Sequence, residues 1–153
     1  MTRATKAFIA LAPLAILAGC APAYRMEPPA AFKRFERSGD FKLITADGVM
    51  LKAREVDNYP RADLPFWVDA MKRHLAERGY ALKSEACFKT EKKLDGCTVD
   101  FLLPFGAEDW VLSETIFVKA ERVVLVEVAG PFERYAKVEK DLAKALKTFD
   151  PGE

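Results

Sequence analysis

Residues 122–149 read RVVLVEVAGPFERYAKVEKDLAKALKTF, and this stretch decides the fold. Arg122 to Ala129 is rich in valine, whose branched side chain suits a pleated sheet, and so near-continuous an apolar run points to a central strand. Gly130-Pro131 interrupts it. The apolar period then changes from two to 3.6: Tyr135, Val138, Leu142, Ala145, Leu146 and Phe149 line one side of a helix that Pro151-Gly152 ends.

Upstream, the period is two again. Val99, Phe101, Leu103 and Phe105 alternate toward one face, as do Leu112, Ile116 and Val118 after Trp110. Tyr80 to Thr90 is a less regular strand, with Leu94-Asp95-Gly96 read as the turn that follows it. Before Gly79 the spacing is helical. Asp63 is placed to cap a helix that tolerates Pro65 in its first turn, with Trp67, Ala70, Met71 and Leu75 on one apolar stripe. Phe41 to Thr45 and Val49 to Val56 are strand-like runs around Ala46-Asp47-Gly48, where Asp-Gly suits a tight hairpin. Asn58-Tyr59-Pro60 ends the second run. The order is strand, strand, helix, four strands, helix. Strands joined by short turns are antiparallel, so the predicted class is α+β: a mainly antiparallel sheet covered by two helices. A chain of 153 residues, half hydrophobic and 31% charged, fits one such domain, placed at 32–153, and not a disordered segment.

The first twenty residues have a different character. A basic start with Arg3 and Lys6 precedes an apolar run from Ala7, too short to span a bilayer as a helix of ~20 residues. Leu17-Ala18-Gly19-Cys20 closes it and resembles the lipobox of bacterial lipoproteins. The resemblance implies a signal peptide over 1–19, a diacylglyceryl group on the Cys20 thiol, cleavage before Cys20, and a fatty acyl chain such as palmitate on the new amine. A thiolate is the nucleophile that such a thioether requires. An ordinary cleaved signal with a chance cysteine, or an uncleaved anchor, is the alternative. Ala21, in place of an aspartate, favours the outer membrane by family analogy if the cell has two. Residues 20–31, with Pro22, Pro28 and Pro29, read as a tether. Phe32, Lys33, Arg34, Phe35 and Arg37 follow, read as a first turn packing two phenylalanines onto the core, with a membrane-surface contact as the alternative. The whole chain has 24 basic and 23 acidic side chains, and the leader takes two of the basic ones. Such balance gives no electrostatic reason for a nucleic-acid partner.

The element order, with Gly79-Tyr80 after the first helix, Asp95-Gly96 between strands and Val123 to Gly130 leading into the tail helix, resembles the PsbP type over 41–149. That resemblance implies a sandwiched antiparallel sheet and non-enzymatic, partner-binding roles. It carries no functional residue across.

Candidate chemistry is sparse. Cys87 and Cys97 are the domain's own cysteines, and in an oxidising compartment an even pair reads first as a disulfide. Two free thiols, or a redox or metal role, are the alternatives. His74 is the sole histidine and borders the stripe of the first helix; its spacing from the cysteines matches no common zinc pattern. Glu108-Asp109 beside Trp110 suggests a sugar site, but adjacent strand residues point to opposite faces. The reading is therefore a non-enzyme, with no catalytic residue, cofactor or metal ligand. The expected function is a membrane-anchored envelope interaction module with a protein partner; the alternative is a small-ligand binder with a cleft near Trp67, Trp110 and Tyr135.

Overall fold

The computed structural model describes residues 24–35 and 41–152. Its elements are β1 (Phe32–Arg34), β2 (Lys42–Thr45), β3 (Met50–Asp57), α1 (Leu64–Glu77), β4 (Ala81–Lys89), β5 (Asp95–Phe105), β6 (Glu108–Val118), β7 (Arg122–Pro131) and α2 (Phe132–Lys147). The seven strands form one sheet in the order β1-β2-β3-β7-β6-β5-β4, antiparallel at every junction. The expected α+β class is the one observed. The valine-rich strand is β7, paired to β3 and β6 in the middle of the sheet.

Strand alternation divides the core in two. Leu51, Phe117, Val124, Val126 and Val128 pack on one face against Tyr135, Val138, Leu142 and Leu146 of α2. Val99, Phe101, Ile116, Val123 and Leu125 pack on the other against Val68 and Leu75 of α1. The helices thus cover opposite faces. Burying each such side chain stabilises the fold by ~1.5–3 kcal/mol. Glu133 in the first turn of α2, and Lys144 and Lys147 in the last, suit the helix dipole.

Several local readings change. Phe32–Arg34 forms a strand, not a turn, and of its two nearby phenylalanines Phe32 enters the core while Phe35 is 41% exposed, under the Lys42 ammonium. Asp63 does cap α1, accepting from the Phe66 N–H at 3.1 Å. The buried residues of α1 are Val68 and Leu75, however, with Trp67 at the flank of the covered face. The β4–β5 turn runs over Thr90 to Leu94, with Lys93 at φ 65° and the Thr90 hydroxyl accepting from the Leu94 N–H at 3.1 Å. Asp95 and Gly96 lie within β5. Gly96 is needed for close approach instead of turning, since a Cβ there would sit 2.5 Å from the Phe117 ring.

The segment assigned to the tether also differs. Tyr24 stacks on Phe149 and meets Phe41 edge-on, with centroids 6.1 and 6.3 Å away. Arg25 and Asp150 exchange backbone hydrogen bonds of 2.9 and 2.8 Å, and the Glu27 N–H donates to the Thr148 hydroxyl. Residues 24–27 therefore form a strap on the domain. Proline content suggests extension, but Tyr24 supplies enough apolar surface to dock.

Candidate functional site

Helix α1 crosses only part of its sheet face and leaves an open groove on each flank. The larger, about 610 Å³, lies between the start of α1 and the edge strand β4, among Leu64, Val68, Glu85, Lys89 and the Cys87–Cys97 bridge. The smaller, about 380 Å³, is almost wholly apolar, with Trp67 and Met71 above Ile116, Val123 and Leu125 and with His74 at the rim.

Asn58 holds this helix in place. Its buried amide donates to the carbonyls of Ala62 and Lys119 at 3.1 and 3.2 Å, and its Oδ1 accepts from Ala62 N–H at 3.0 Å and Trp67 Nε1–H at 2.8 Å. The residue that reads as a strand breaker is thus the joint between β3, the β6–β7 loop and α1.

Two acids are buried within the sheet, one on each face. On the α1 face Glu114 sits opposite Glu127, which sits opposite Lys52. Lys52 pairs with Glu127 at 2.8 Å, and Arg54 approaches the same carboxylate at 4.0 Å. Glu114 is 4% exposed, and its Oε2 has no hydrogen-bond partner among the described residues. Burial first, and the charge of Glu127 second, push its pKa up to about 8. On the α2 face Asp100 accepts from Ser84 Oγ at 2.7 Å and Tyr135 OH at 3.3 Å, with the Lys83 ammonium 3.9 Å away. Burial and then the Asp100 charge raise the Tyr135 phenol above its ordinary range. Neither buried acid lines either groove. An acid within an apolar alternation of one face, Leu112-x-Glu114-x-Ile116, is the signal that would have singled out Glu114; Asp100 carries none, since Val99 and Phe101 lie on the other face.

The structure separates most of the residues that the sequence singled out. Cys20 lies outside the described residues. Cys87 and Cys97 are directly opposed on β4 and β5 and bridged, with Cα atoms 4.0 Å apart. The displaced turn makes this possible: a turn at Asp95-Gly96 would have set Cys97 against Leu94. His74 stands on the exposed side of α1, and among the described residues no three His, Cys, Asp or Glu side chains are grouped to hold a metal. Glu108 opens β6, 3.8 Å from Arg134. Trp67 and Tyr135 belong to helices on opposite faces, and Trp110 packs on Phe105 at the β5–β6 tip, so these aromatics wall no common cleft. No helix among the described residues is long and apolar enough to cross a membrane.

No protein-family model matches the chain, and no curated protein sequence does. Solved structures do. Cyanobacterial PsbP (CyanoP) from Synechocystis sp. PCC 6803 superposes with a TM-score of 0.59 at 10% identity, over 86% of this chain and 88% of that one. PA94 from Pseudomonas aeruginosa, a protein of unknown function suggested to be a regulator, gives 0.50 at 12% identity, over 84% and 98%. The shared architecture, one antiparallel sheet with two helices, makes this a PsbP-like fold.

Proposed function

We propose that the chain is an exported, lipid-anchored envelope protein whose PsbP-like domain binds a partner protein without catalysing a reaction. The lipobox-like Leu17-Ala18-Gly19-Cys20 supports the anchor. The observation that carries the binding role is the pair of grooves beside α1, open to solvent and largely apolar, with neither buried acid among the residues that line them. Grooves of this kind take an apolar side chain or ligand. The outer membrane is the proposed address where a cell has two. A photo-cross-linking amino acid at Leu64 or Met71, introduced in the native cell, is expected to capture an envelope protein. Equal capture from Lys140, on the opposite helix, would count against the groove as the binding face.

A second reading has one observation in its favour: the smaller groove is apolar and contains Trp67. A small apolar ligand bound there would shift Trp67 emission in a Trp110→Phe chain. Native mass spectra without bound small molecules, taken on protein from its own cells, would exclude it.

A further inference from the structure

We propose that the end of the domain formed by Tyr24, Asp150 and Tyr59 rests against the lipid headgroups, so that the β5–β6 tip points away from the bilayer. This orientation rests on the lipid-anchor reading above. Exposed aromatics do not decide it alone, because both ends have them: Tyr59 (84% exposed) and Phe66 (49%) at one, Phe105 (64%) and Phe132 (39%) at the other.

The strap decides it. Tyr24, Arg25 and Glu27 are fixed to Phe149, Asp150 and Thr148 by ring packing, by backbone hydrogen bonds and by a Glu27 N–H donated to the Thr148 hydroxyl. Only Ala21, Pro22 and Ala23 separate this fixed point from Cys20. Four peptide steps reach at most ~14 Å between the Cα atoms, even fully extended. The opposite end is farther than that leash can bridge: β7 spans ten residues, roughly 33 Å.

The strap end is continuous with the loops beneath it. Lys92 pairs with Asp150, the Lys119 ammonium donates to the Gly152 carbonyl, and Asn58 joins Lys119 to the Tyr59 loop. Three of its cations pair with acids, Lys92 with Asp150, Arg61 with Glu121 and Arg122 with Glu55. A surface of interleaved cations and acids with projecting Tyr59 and Phe66 fits zwitterionic headgroups, where an aromatic ring can sit among glycerol and phosphate groups.

The test uses the acylated chain labelled with 5-fluorotryptophan, in phosphatidylcholine nanodiscs containing a small fraction of gadolinium-chelate lipid. Trp67 lies near the strap end and Trp110 at the β5–β6 tip, so their fluorine signals report on the two ends. Paramagnetic relaxation several-fold stronger at Trp67 than at Trp110 is expected. Replacing Tyr24→Ser and Arg25→Pro, which removes the ring contact and the N–H bonded to Asp150, should bring the ratio toward one while acylation persists. Equal relaxation in the unmutated acylated chain, or a full ratio in the strap variant, overturns the inference and leaves the anchor standing. A chain that mass spectrometry finds unacylated overturns both.

Discussion

The surroundings of Glu114 make stability depend on pH. Its carboxyl is held at about 8 in the folded chain, against 4.5 for an unhindered glutamic acid. Between those values the native state binds the proton that the unfolded state has released, so this group's stabilising contribution is complete below about 4.5 and is lost as pH rises through about 8. Glu114→Gln keeps the shape and cannot ionise. It should melt at a higher temperature than the parent at pH 8.5 and match it near pH 4.5, with the gap widening steadily between them. Parallel melting curves across that range would contradict the assignment. Asn58→Ala gives an independent check at the same scale. It leaves the Trp67 indole N–H and the Ala62 N–H without their acceptor, each at ~1–3 kcal/mol if still buried, and urea unfolding should show a lower midpoint. Gly96→Ala pushes a methyl group into the Phe117 ring, which stacks on Phe149 at 5.0 Å; overpacking of this kind costs ~1–3 kcal/mol.

The elements show what was readable in advance. Period and punctuation gave every strand from β2 onward and both helices, because those signals come from burial that repeats along the chain. Tyr135, Val138, Leu142, Ala145, Leu146 and Phe149 are all buried as the 3.6 spacing implies. Two misreadings have a common cause. Asp95-Gly96 has the composition of a turn, and Tyr24 to Glu27 lies in a proline-containing stretch with that of a linker, but a distant ring sets the structure in both: Phe117 over Gly96, and Phe149 against Tyr24. Local composition cannot report such partners. The grooves were equally illegible, since they depend on where α1 stops covering the sheet. At this scale the Cys87–Cys97 bridge is the testable feature. It closes a hairpin of sequence separation 10. In the chain-entropy treatment, a Cys87→Ala, Cys97→Ala double variant should lose ~2–3 kcal/mol in chemical denaturation. An unchanged midpoint would mean that β4–β5 pairing already imposes that constraint.

For the whole molecule, the strap links sequence to placement. Removing residues through Glu27 strips two ring contacts from Phe41 and Phe149 and two backbone hydrogen bonds from Asp150. A domain shortened in this way should be roughly 2–3 kcal/mol less stable than one starting at Ala21. The PsbP-like fold supplies the frame: a sheet closed on one face by α2 and only partly on the other by α1, leaving two grooves. The proposed role requires that frame to be held at a bilayer, and lipid on Cys20 is what would hold it. The most direct test is the intact mass of the protein extracted from its own membranes, before and after reduction. Loss of residues 1–19, lipid added at Cys20 and a mass gain on reduction equal to one opened bridge are expected. A chain that keeps those first residues, or starts at Cys20 without acyl groups, would contradict it.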